Sequence, residues 1–184
     1  MMTWMTNMSL FDSVETLALP QLALAHTESA ALLNELVYAE PDDGREEAPA
    51  PLKFMWQGYE TALGAYSVAA AAKLVAHGVT AAHSSLEVAA TITALREVVG
   101  EDAAFQVPPW VADTDVLRSH RSNLMRRWPD VYDWKKTPTN LPYLWPVCDE
   151  AGGYELRLSK YDKALIAKGE RSIPKQMKDR IENA

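Results

Sequence analysis

Apolar residues along the chain recur at helical steps in four stretches, and almost nowhere at every second position. Between Pro20 and Val37, Leu22, Ala25, Leu32, Leu33 and Leu36 fall on one stripe with the small Ser29. That spacing predicts an amphipathic helix with Pro20 in its first turn. The next segment, AEPDDGREEAPAP at 39–51, mixes prolines and a glycine with acids and predicts a solvated loop of about a dozen residues, longer than usual inside a compact domain. Phe54, Trp56, Tyr59, Leu63, Tyr66, Ala70, Leu74 and His77 predict a second long helix, stopped by Gly78 and packed closely through Ala69–Ala72. A third is expected from an N-cap at Ser84 or Ser85 through Leu86, Ala89, Ile92, Leu95 and Val98 to Gly100. The fourth begins at Asp113 or Thr114 and runs through Leu117, Leu124 and Trp128 to Pro129. Only YELRL at 154–158 alternates weakly. The expected class is therefore all-α, a compact single-domain helical bundle without internal repeats. Residues 150–153, EAGG, read as a joint to an appended, lysine- and arginine-rich helical tail, which divides the chain into a domain at 1–147 and a tail at 148–184.

Composition agrees with one globular domain: 184 residues, 48% hydrophobic and 23% charged. The net charge of -7 excludes a simple, uniformly basic nucleic-acid binder. The average conceals a polarity, because residues 1–105 carry 4 basic and 14 acidic side chains and residues 106–184 carry 14 and 11. A polyanion would be drawn to the second half. The lone Cys148 forms no internal disulfide, the four histidines lack zinc spacing, and no metal or other cofactor is expected. The N-terminus has no basic and then apolar leader, and Lys73 breaks the longest Ala/Val-rich run, so the expectation is a cytoplasmic protein with no membrane partner.

Chemistry concentrates in the fourth helix, where LRSHRSNLMRR at 117–127 holds one histidine and four arginines. At about 100° per residue, Arg121 lies roughly 40° from the centre of the stripe made by Leu117, Leu124 and Trp128, and so points inward, with His120 at the stripe's edge. An inward arginine needs an anion or a carboxylate partner, which leaves a ligand site and a structural ion pair as equal readings. Arg118, Arg126 and Arg127 lie elsewhere on the helix, either as a solvated face or as phosphate contacts. Glu28 lies roughly 90° from the centre of the first helix's stripe, at a margin where a carboxylate can face a cleft or simply bound the core. Trp56, Tyr59 and Tyr66 read as core, whereas Trp128, Tyr132 and Trp134 sit beside basic residues after a helix end and are candidates to stack on a ligand.

Three blocks resemble the phage and bacterial pyrimidine dimer DNA glycosylase family, its actinobacterial branch above all. They are QLALAHTESAALL at 21–33, MWQGYETALGAY at 55–66, and the run from PPW at 108–110 through SHRSNLMRR at 119–127 to LPYLWPV at 141–147. The resemblance implies a compact helical DNA glycosylase and AP lyase that flips a nucleotide out of double-stranded DNA and attacks its sugar carbon C1′ with an N-terminal α-amine. It places the assisting glutamate at Glu28, six residues after Leu22, and the arginine near DNA at Arg121. With DNA as the ligand, Arg121 and His120 are expected to position a phosphate or sugar, and the helix reading adds Arg118, Arg126, Arg127 and Trp128 as DNA-binding candidates. Translation from Met2 followed by methionine removal would free the amine of Thr3, whose pKa near 7.7–8.0 suits a nucleophile. Two departures favour an alternative, a catalytically inactive DNA- or nucleotide-binding or protein-interaction module. The branch carries a Lys-Gln-Arg stretch before its glutamate where this chain has LAH, and a histidine before Pro51 where this chain has Ala50. A third reading is a protein adaptor working through the acidic loop at 40–50 or the basic tail.

Overall fold

The computed structural model describes residues 4–38, 51–79, 89–90, 93, 96, 105–149 and 151–182. The predicted third helix, the acidic loop at 40–50 and Thr3 lie outside the described residues, apart from four exposed helical positions between Ala89 and Arg96. The chain clusters into two compact units. One gathers Val14–Pro108, the other Trp4–Ser13 with Pro109–Ala184, so the division passes through the first helix, α1 (Leu10–Thr16).

In the first unit the predicted stripe buries Leu22, Ala25, Ser29, Leu32 and Leu33 of α2 (Leu19–Tyr38). They pack on Leu63, Tyr66, Ser67, Ala70 and Leu74 of α4 (Glu60–Ala76), where Gly64, Ala70 and Ala71 let two backbones approach. Buried His26 joins the pair, its Nδ1 standing 3.1 Å from Ser67 Oγ. Lys73 bonds the ends of α1, donating from Nζ to the carbonyls of Val14 at 3.1 Å and Glu15 at 2.6 Å, carbonyls that lack an intrahelical partner. The expected single helix over 54–77 is two helices. A short α3 (Pro51–Trp56) stops at Gly58, whose φ of +83° is left-handed and open only to glycine at low cost, and α4 restarts two residues later. At the other end Gly78, with φ of +76°, closes α4, and the Val79 N–H reaches the Leu74 carbonyl as the predicted C-terminal cap requires.

The second unit corrects the all-α expectation. The chain is mostly helical, but β1 (Leu144–Cys148) pairs antiparallel with β2 (Tyr154–Leu158), Pro146 lying opposite Leu156. Pro146 is tolerated because a two-stranded ladder leaves alternate N–H positions without a partner strand. The predicted joint is the turn of this hairpin. Asp149 Oδ1 accepts from the backbone N–H groups of Ala151 and Gly153 at 2.9 and 2.8 Å, Gly152 takes φ of +81°, and a Cβ on Gly153 would stand 2.7 Å from Asp149 Oδ2. The hairpin lies against α5 (Thr114–Arg127). The lysine- and arginine-rich segment forms α6 (Lys160–Ala167) and α7 (Lys175–Glu182), and Met177 of α7 is fully buried. Among the described residues no helix is long and apolar enough to cross a membrane.

Candidate functional site

The site is built on α5, whose N-cap is Asp113, with Oδ1 accepting from Asp115 N–H at 2.8 Å and Val116 N–H at 3.4 Å. One edge of the helix holds the chain that leads into β1. Ser119 Oγ donates to the Pro142 carbonyl at 2.9 Å and accepts from Leu144 N–H at 2.7 Å. Ser122 Oγ accepts from Leu141 N–H at 3.0 Å. Arg126 Nη1 donates to Ser122 Oγ, to the Leu141 carbonyl at 2.6 Å and to the Thr139 carbonyl at 3.1 Å. Its guanidinium therefore anchors residues 139–141, and burial, with neighbouring Arg171 next, draws its pKa down to about 10.

Another edge holds the N-terminal segment. Met5 N–H donates to His120 Nδ1 at 3.0 Å, Arg121 Nε donates to the Thr6 carbonyl at 2.6 Å, and Arg121 Nη2 donates to Asn7 Oδ1 at 3.3 Å. Ser13 Oγ accepts from both Thr6 and Asn7 N–H at 3.0 Å, so four consecutive residues have their backbone or side chains held by this unit, since Trp4 packs edge-on to Trp128 at 5.6 Å. His120 is completely enclosed and stacks on Tyr143 at 4.5 Å. Burial pushes its pKa down to about 3, and a backbone hydrogen bond with Leu144 offsets that only in part, so the ring is neutral at physiological pH. The half-buried Arg121 lies 5.9 Å from the Trp134 ring centre, Trp134 stacks on buried Tyr132, and burial lowers the arginine's pKa.

These placements revise the expected roles. His120 offers no surface to a duplex, and its ring instead fixes Met5. Arg126 is half-buried and clamps the 139–141 segment through Nη1 rather than standing on an open face, and Arg121, inward as its helical angle predicts, meets a carbonyl and an amide rather than a carboxylate. Arg127, exposed and 5.6 Å from the Trp128 ring centre, and half-exposed Arg118, 4.0 Å from Asp115, remain turned toward solvent. Glu28 is half-buried on α2 in the first unit, and Thr3 lies outside the described residues. Of the aromatic candidates, Trp56 and Tyr66 are core as expected, while Trp128 and Trp134 are half-buried.

A polar network at the start of α5 had no signal in the sequence beyond the cap itself. Asp113 Oδ2 accepts from Tyr154 O–H at 2.5 Å and from Arg180 Nη2, and Arg180 Nη1 donates to Asp113 Oδ1 at 3.0 Å and Asp115 Oδ2 at 2.9 Å. Burial pushes the Asp113 carboxyl up, but Arg180, Tyr154 and the Asp115 N–H together outweigh it and hold the pKa below the ordinary value. Burial first, and then the hydrogen bond to the Asp113 carboxylate, raise the Tyr154 phenol to about 12 against the opposing pull of Arg180. Cys148 is no nucleophile, since burial raises its thiol to about 11. Among the described residues no group of three or more His, Cys, Asp or Glu could hold a metal ion. Compared with protein-family models, with curated proteins and with solved structures, the chain finds no match in any of the three.

Proposed function

We propose that the chain is a DNA glycosylase with AP lyase activity that acts on damaged or modified pyrimidines in double-stranded DNA, with the amine of a processed Thr3 as nucleophile. The supporting observation is the hold on residues 4–7: Trp4 lies against Trp128, Met5 is bonded to His120, and Thr6 and Asn7 are bonded to Arg121. A terminal amine gains as a nucleophile when the residue beside it is fixed, because the entropy of positioning is already spent during folding. In this reading His120 and Arg121 are positioning residues, and the cationic surface that meets phosphate comes from Arg118, Arg127 and the exposed Lys135 and Lys136.

The neutral amine attacks C1′ of the flipped nucleotide, the C1′–N bond breaks, and the base departs with its electron pair and a proton. The sugar ring opens to a protonated Schiff base, and loss of a C2′ proton then expels the 3′ phosphate by β-elimination. Glu28 carries protons in these steps. Borohydride reduction in the presence of DNA containing an abasic site is expected to leave a covalent adduct, cut at least 100-fold by Glu28→Gln and abolished by a blocked N-terminus. Intact mass reports whether Thr3 is first. A wild-type protein of the right mass that forms no adduct defeats the proposal.

One observation favours a second reading, a binding module without turnover. Where the resembling branch carries basic residues before its glutamate, His26 is buried against Ser67 and Leu24 is 44% exposed, so no cation faces outward there. That module would bind DNA in a salt-sensitive way and leave no adduct.

A further inference from the structure

Three consecutive backbone carbonyls, at residues 139, 140 and 141, are held from two sides. Arg126 Nη1 bonds the first and third, and Ser172 N–H bonds the second at 3.1 Å. The Ser172 contact sets Arg171 next to the segment that Arg126 clamps, and the charge of Arg171 is felt at Arg126, whose pKa it lowers. Two cations in one partly buried spot are unfavourable without an anion between them. The carboxylate available is Asp162, which is already engaged: it is buried, its Oδ2 accepts from Ser159 Oγ at 2.8 Å, and its Oδ1 stands 3.9 Å from Arg171 Nε. That Nε is enclosed and has no hydrogen-bond acceptor among the described residues. Among the described residues every hydrogen bond of Arg126 runs through Nη1, which leaves its Nε and Nη2 without a protein acceptor there. The cluster of two arginines and one aspartate carries a residual positive charge, with the exposed Tyr161 beside it.

We infer that Arg126 and Arg171 form a binding site for a phosphate-class oxyanion, in which the two planar guanidiniums donate to different oxygens of one tetrahedral group. A monocarboxylate presents two coplanar oxygens and fits one fork. A phosphate presents oxygens to both and carries enough charge to neutralise the cluster. The site does not depend on Thr3, Glu28 or any covalent step, and it draws on Arg171, which lies beyond the stretch that resembles a DNA repair family.

The test follows the arginine Nε–H signals of the full chain by ¹H–¹⁵N correlation while sodium phosphate is added, against sodium chloride at matched ionic strength. Phosphate is expected to shift the Arg126 and Arg171 signals saturably, and Arg171→Gln is expected to weaken its binding at least tenfold while Arg171→Lys weakens it less. Thymidine 5′-monophosphate and an oligothymidylate lacking terminal phosphates then identify the source. Competition by the mononucleotide alone assigns a terminal phosphate, and competition by the oligonucleotide assigns the diester backbone. If phosphate moves these signals no more than chloride does in the wild-type protein, or binds Arg171→Gln equally well, the inference is overturned.

Discussion

At the level of single residues, His120 shows how a titratable side chain placed at the edge of an apolar stripe can be fully enclosed in the fold. Its angle on α5 brings it to the edge of the apolar stripe, and in the structure it is enclosed, accepts from Met5 N–H and stacks on Tyr143. A folded-state pKa of about 3 against an ordinary 6.5 has a definite consequence. Below pH 6.5 the unfolded chain takes up a proton that the folded ring refuses, so stability falls as pH drops from 6.5 toward 3, at a slope approaching about 1.4 kcal/mol per pH unit. Above pH 6.5 this contribution is fully present. His120→Asn keeps an acceptor near Met5 N–H but does not titrate. It should be about 1–3 kcal/mol less stable at pH 7.5 through lost packing, and its deficit should shrink between pH 6.5 and 4. Denaturant titrations of both proteins at four pH values decide this, and a deficit independent of pH would show that His120 is not held neutral.

At the level of elements, α5 was legible almost to the residue, because a capping aspartate and a helical stripe are local signals, and so was the closure of α4 at Gly78. Its partners were not. A periodic pattern says that Ser119, Ser122 and Arg126 share an edge, but nothing local says that this edge holds the backbone at 139–144. The strand that follows was hidden because LPYLWPV is continuously apolar and carries two prolines, so neither alternation nor propensity marks it. The break at Gly58 was hidden by an apolar spacing that runs on in register across two helices. Arg180 had no local signature either, since its acceptors lie 65 and 67 residues away. Removing it leaves Asp113 with its cap bonds and Tyr154 but without a counter-charge. With Arg180 40% exposed, Arg180→Gln should cost about 1–2 kcal/mol, and Asp113→Ala, which also removes the N-cap, about 2–3 kcal/mol. A double-mutant cycle should give a coupling near 1 kcal/mol or above, and additivity within about 0.3 kcal/mol would mean that the pair is only a surface contact.

For the whole molecule, the charge polarity seen in the sequence follows the division into units. The first holds 4 basic and 13 acidic side chains and the second 14 basic and 12 acidic, counting every residue of each. Several of the second unit's arginines are occupied internally, with Arg121 on Thr6 and Asn7, Arg126 on the 139–141 carbonyls, and Arg180 on Asp113 and Asp115. Those three of the unit's 14 basic side chains are committed inside the fold, so the charge on the α5 side that could meet a duplex is smaller than the composition suggests. If Arg118, Arg127, Lys135 and Lys136 are the principal contacts, about four phosphates are neutralised, and log Kobs should fall against log salt with a slope near −3.6, at about −0.9 for each contact. Arg127→Gln with Lys136→Gln should reduce that slope by roughly 2, whereas Arg121→Gln should leave it nearly unchanged and act on adduct formation, because Arg121 holds Thr6 and Asn7, next to the proposed nucleophile. Fluorescence anisotropy with a labelled duplex across a salt series measures both effects. A slope that drops by a full contact in Arg121→Gln would make that residue a phosphate ligand and return it to the role that the family resemblance assigns.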